Sequence, residues 1–88
     1  MVDRSAPGIR EFDTVQVVRL ATLEREFVGT EPVVRAPRVG DIAMVAHDWE
    51  PDDPAGRVIA EMTDDEGYTV WSADFDKNEL VCIFRPEC

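Results

Sequence analysis

Few side chains in this sequence are of the types that make and break bonds. His47 is the only histidine, and a nucleophile–base pair would need a serine or cysteine beside it in space. Ser5 falls in a stretch broken by Pro7 and Gly8, and Ser72 sits in a run that reads as a strand. Cys82 lies inside the apolar "LVCIF", where a thiol behaves as a small buried hydrophobe, and Cys88 is the last residue. There is no Ser-x-x-Lys or Gly-x-Ser-x-Gly motif and no zinc-type Cys/His spacing. The segment "DWEPDD" offers oxygen ligands without the Asp-x-Asp-x-Asp-Gly spacing of a calcium loop. Glu61 could act as a buried general base, but no partner for it is evident. The expectation is a protein that is not an enzyme and that holds no metal and no cofactor.

Carboxylates are what the chain carries in excess. Nineteen Asp and Glu against nine Lys and Arg, in 88 residues, leave a formal net charge of −10. Phosphate binding draws on Lys and Arg, so nucleic acid and anionic membranes are excluded as default partners, while a basic protein is attracted at long range. The acids gather in three places: Asp48, Glu50, Asp52 and Asp53; then Asp64, Asp65 and Glu66; then Asp74, Asp76 and Glu79. Trp49 lies within the first group and Tyr68 just after the second. A loop tryptophan ringed by acids has the composition of an interface hot spot. The candidate partner-binding residues are therefore Asp48, Trp49, Glu50, Asp52, Asp53, Asp64, Asp65, Glu66, Tyr68, Asp74 and Asp76. Two plainer readings stand beside this one: the charged turns are only solvated turns, and Trp49 closes over a barrel mouth as a lid. A single patch is not implied, because successive loops of a small barrel need not share an end.

The elements that must carry these loops read as strands. "FDTVQVVRL" places Val15 and Val17 on one face, and a bulge near Val17 would bring Val18 and Leu20 into phase. "ATLEREFVGTEPVVRAPRVGD" contains Gly29, Pro32, Pro37 and Gly40 and reads as a long excursion loop, with a helical turn at "TLEREF" capped by Thr22 and a short strand at "PVVR". "GDIAMVAHDW" alternates Ile42, Met44 and Ala46 against Ala43, Val45 and His47. "EPDDPAG" is a turn, "RVIAEMT" a strand, "DDEG" a hairpin turn with Gly67 suited to positive φ, and "YTVWSADF" a strand. "DKNEL" has the polar content of one helical turn, "LVCIF" is the last strand, and Pro86 ends it. The fold expected is all-β: a five-stranded Src-homology-3-like (SH3-like) small barrel with a long first loop and one short helical turn before the last strand. Residues 1–11 are expected to be a flexible arm and residues 12–86 the single barrel domain. One free strand edge admits a homodimer. Neither a signal sequence nor a membrane span is apparent, so a cytoplasmic protein is expected.

Residues 12–83 resemble a family of small bacterial proteins, a domain of unknown function. Its members open on an Asp-Thr-Val strand, continue with a Gly-Asp-Ile-Gly-Thr-Val-like segment, and carry a strand Glu, an Asp-rich turn with Gly, and a final Asp/Glu-Leu. The matching positions are Asp13, Thr14, Val15, Gly40, Asp41, Ile42, Val45, Glu61, Asp65, Gly67, Thr69, Glu79 and Leu80. Ala43-Met44 stands where Gly-Thr is usual, and the loop before Gly40 is longer than the compact pattern. The resemblance implies a Src-homology-3-like barrel and an immunity or antitoxin role, and the charge of −10 points separately to a basic toxin as its target. "VGD" with "YTVWSADFDKNEL" also resembles the barrel of nitrile hydratase β subunits, which implies an accessory subunit. "VGDIAMV" is similar to the KOW element of ribosomal and transcription proteins, although RNA-binding KOW domains are basic and this chain lacks a basic stripe.

Overall fold

The computed structural model describes residues 9–22, 24–53 and 55–84. It holds five strands: β1 (Thr14–Val17), β2 (Ile42–Asp48), β3 (Arg57–Thr63), β4 (Thr69–Asp76) and β5 (Leu80–Phe84). They form one antiparallel sheet in the order β4-β3-β2-β1-β5. A 3-10 turn, Lys77–Glu79, joins β4 to β5. The chain is therefore all-β, with the barrel-like strand order and the helical turn that the sequence led one to expect. No helix among the described residues is long and apolar enough to cross a membrane.

Alternation of side chains explains why these segments are strands. Val15 and Val17 of β1, Ala43 and Val45 of β2, Val58 and Ala60 of β3, Trp71, Ala73 and Phe75 of β4, and Leu80 of β5 all point into one core. Trp71 and Phe75 pack with ring centroids 5.3 Å apart. Burial of each large apolar side chain contributes about 1.5–3 kcal/mol. Ile9 belongs to this core, at 3% exposure, so its side chain is packed although residues 1–11 read as an arm. Residues 1–8 of that expected arm, and the expected end of the last strand at Pro86, lie outside the described residues.

Strand phase departs from the sequence reading at two points. The pairing of β2 with β3 shifts register between Val45 and His47, which turns Asp48 inward and leaves His47 half-buried, rather than in line with Ala43 and Val45. β1 stops at Val17, and its one register shift lies between Thr14 and Val15 against β5. Val18 is not brought into phase by a bulge. It leaves the sheet exposed, its N–H donating to the Glu79 carbonyl.

The long excursion between β1 and β2 contains neither the helical turn nor the "PVVR" strand among its described residues. Thr22 Oγ1 does accept from the Glu24 N–H, but no helix follows, and Leu23 lies outside the described residues. The extended contact sits earlier than expected. Val28 exchanges both backbone hydrogen bonds with Ser72, the Thr30 N–H donates to the Thr69 carbonyl, and the Arg35 N–H donates to the Val70 carbonyl. The loop thus covers the outer edge of β4, which would otherwise offer unpaired backbone groups to another chain. Gly29 permits this approach: a Cβ there would lie 2.6 Å from Val34 Cγ2 and 2.7 Å from the Val70 carbonyl oxygen. Gly29→Ala is expected to cost about 1–3 kcal/mol, measured by urea unfolding, with faster hydrogen exchange at the Ser72 and Thr30 amides as its local sign.

Candidate protein-binding surface

Among the described residues, the four most buried carboxylates work within the fold. Asp13 is fully buried and accepts from the Arg10 N–H at 2.8 Å. Asp41 takes both guanidinium nitrogens of Arg35 at 2.9 Å, the Arg38 N–H at 2.9 Å and the Trp71 Nε1–H at 2.9 Å. Burial by itself would raise the pKa of Asp41; the hydrogen bonds from Arg35, Trp71 and Arg38 outweigh it and hold the carboxyl below its usual range. The same hydrogen bond to Asp41 raises the pKa of Arg35. Glu79, at 0% exposure, accepts from the Ala21 N–H, the Asp76 N–H and Arg25 Nη2. Burial opposes its ionisation too, and the Ala21 N–H, Arg25 and Asp76 N–H bonds prevail, so its pKa is also lowered. The Arg25 guanidinium stacks 4.1 Å from the Phe75 ring centroid.

Asp48 is the fourth. It was a candidate contact residue, yet it is buried and pairs with Lys77 Nζ at 3.1 Å. Lys77 itself is 2% exposed and donates further to the carbonyls of Glu50 and Asp53, both at 2.8 Å. The Lys77 N–H also reaches the Gly56 carbonyl. One lysine therefore pins the β2–β3 loop at three carbonyls and a carboxylate. Asp48 is a support for that loop and cannot meet a partner.

On the pinned loop stands Trp49, 54% exposed. It does not fold over the core as a lid. Its ring meets His47 edge-on, with centroids 4.4 Å apart and planes at 82°, and the Trp49 N–H donates to the Arg57 carbonyl. Trp49, Glu50, Arg57 and Asp74 line one shallow cleft. Asp76 stands opposite Arg57 in the β3–β4 register and lies 4.0 Å from its Nε. Asp52 and Asp53 are exposed on the same loop, with Asp53 Oδ1 also accepting from the Ala55 N–H. The structure thus brings Trp49, Glu50, Asp52, Asp53, Asp74 and Asp76 to one end of the β3–β4 hairpin.

Asp64, Asp65, Glu66 and Tyr68 lie at the other end. β3 runs seven residues between them, about 20 Å of strand. Asp64 builds the turn, its Oδ1 accepting from the Glu66 and Tyr68 N–H groups, and Gly67 adopts φ +89°. Asp65, Glu66 and Tyr68 are exposed. Glu61, considered as a general base, accepts from Thr69 Oγ1 at 2.6 Å.

A second exposed surface of different character crosses β5, β1 and β2. Phe84, Thr14 and Met44 stand in register, as do Val81, Gln16 and Ile42. Phe84, Met44, Val81 and Ile42 are all exposed large hydrophobics, and none of these six residues is charged. Trp71 belongs to no surface, being fully buried. Neither Arg57 nor the Glu11–His47 contact was legible as part of the Trp49 surface. Arg57 opens a strand like any solvated residue, and Glu11 lies 36 residues from its partner.

Comparison of the chain with protein-family models, with curated proteins and with solved structures finds no match in any of the three.

Proposed function

We propose that the protein is an acidic, non-catalytic protein-binding module that captures a basic partner on the Trp49 end of the β3–β4 hairpin. Its most specific form is an immunity- or antitoxin-type inhibitor that covers the basic active site of a toxin, for instance a nuclease. One observation carries this reading: an indole left half in solvent on a loop whose backbone is held by the buried Lys77. A rigid aromatic anchor loses little entropy on binding, and the carboxylates of Glu50, Asp52, Asp53 and Asp74 around it would steer a cationic surface.

The test is capture from native lysate on the immobilised protein at low and high salt, with Trp49→Ala alongside. A basic protein should be retained at low salt and released at high salt, because exposed charge pairs are screened. Trp49→Ala should weaken capture by about 2 kcal/mol, roughly thirtyfold, while leaving the unfolding midpoint unchanged. Retention of no basic protein, or equal retention by Trp49→Ala, defeats the reading.

The uncharged strip of Phe84, Met44, Val81 and Ile42 favours a second reading, an accessory subunit seated on the apolar face of a larger enzyme. Capture would then survive high salt and be lost with Met44→Ser. A nucleic-acid-binding barrel would need affinity for RNA at physiological salt despite the charge of −10.

A further inference from the structure

The only histidine of the chain lies against the proposed anchor. His47 Nδ1 is 2.9 Å from Glu11 Oε2 on one side, and its ring meets Trp49 edge-on at 4.4 Å on the other. Both His47 and Glu11 are partly open to solvent, with 46% and 40% of their side chains exposed. The ring is therefore held between a carboxylate and an indole where protons reach it freely.

We infer that His47, anchored by Glu11, is the positioning residue of the Trp49 surface and makes that surface responsive to acid. The inference rests on the reading of Trp49 as the contact anchor. Neutral imidazole offers Glu11 one ordinary hydrogen bond and Trp49 one perpendicular aromatic contact. A proton on the ring turns the first contact into a charge-assisted pair and places a cation beside the indole, so both contacts change. A positive charge then stands against Trp49, where it opposes a basic partner.

The groups around His47 do not mask this. Glu11 comes from the segment before β1. From β3 the register partner is Ile59, which is uncharged, and the Arg57 guanidinium lies two residues before it. From β4, Asp74 stands opposite Ile59, and Glu50 borders the same cleft from the loop. His47 is the only histidine of the chain, so its replacement removes imidazole from the molecule altogether.

The experiment is fluorine NMR of the full chain labelled with fluorotryptophan. The two tryptophans give two resonances, and Trp49→Phe assigns them. In the wild type the Trp49 resonance should move between about pH 8 and pH 5, in step with the His47 ring protons. The buried Trp71 resonance should stay, because its partner Asp41 remains ionised throughout. In His47→Gln the movement of the Trp49 resonance should vanish. In Glu11→Gln the resonance should lie nearer that of free fluorotryptophan at every pH, since the ring loses its anchor. A pH-independent Trp49 resonance in the wild type, or an equal movement in His47→Gln, overturns the acid response. An unchanged resonance position in Glu11→Gln overturns the positioning role. No partner is needed for these measurements, so their failure is distinct from failure of the capture experiment.

Discussion

Lys77→Met is expected to destabilise the fold by about 3–5 kcal/mol, a large share of the 5–15 kcal/mol that holds a domain together. Methionine fills a similar volume, so packing is not the main loss. The cost comes from what stays behind: the buried Asp48 carboxylate without its cation, and the carbonyls of Glu50 and Asp53 with one donor fewer each. Urea unfolding at neutral pH measures the total. Adding Asp48→Asn should recover about 1–2 kcal/mol by removing the stranded charge, but no more, because the Lys77 bonds to the two carbonyls stay lost. A local sign should accompany the global one. The Asp53 and Gly56 amides, whose hydrogen bonds close the β2–β3 loop, should exchange faster in Lys77→Met. A cost below about 1 kcal/mol would mean that Lys77 behaves as a solvated surface lysine, and the loop that presents Trp49 would then have no firm base.

Glu79→Gln is expected to cost a comparable amount, about 3–5 kcal/mol. The carboxylate accepts from two backbone N–H groups and from Arg25. A glutamine offers one oxygen in place of two and turns an NH2 group toward donors. Arg25 is affected most, since its Nη1 is buried and already finds no acceptor among the described residues. The same chemistry sets the response to acid. Glu79 and Asp41 both have pKa values lowered by folding, so their contribution to stability is complete above the unfolded carboxylate range, about pH 4. It is lost as the pH falls through their lower folded values, where the native state must take up protons that the unfolded state already holds. Wild-type stability should therefore fall steeply below about pH 4, whereas Glu79→Gln, lacking one of the two groups, should show a shallower fall. Equal slopes for the two proteins would remove Glu79 from the account.

The buried acids also bear on the family resemblance. Asp13, Asp41 and Glu79 are among the positions that carry it, and all three are buried supports of loops. A pattern built on such residues speaks for a way of folding, and the proposed contact residues Trp49, Glu50 and Asp74 lie outside it.

Much of the architecture was legible in the residues. Period-two alternation located β1 and β2, because a half-buried strand needs an apolar residue at every second position, and apolar-rich runs between turn residues located the other three. The composition of Asp64-Asp65-Glu66-Gly67 marked the hairpin turn, because only certain side chains bond their own backbone or accept positive φ there. The strand phase around His47 was not legible, since a register shift between Val45 and His47 inverts the face without changing residue type. The extended contact at Val28, expected instead at "PVVR", depends on where β4 leaves an open edge.

By itself, then, the sequence determined an all-β chain, its turns and its surplus of negative charge, since these follow from local preference and composition. Which carboxylates face solvent was decided only by the tertiary structure. An ionised acid can be buried only where donors converge on it, and at Glu79 two of those donors arrive from far along the chain: Ala21 and Arg25 reach it across 58 and 54 residues. The three residues Lys77, Asn78 and Glu79, with the composition of a solvated turn, become the clasp of both long loops because two of their charges meet such partners inside the fold.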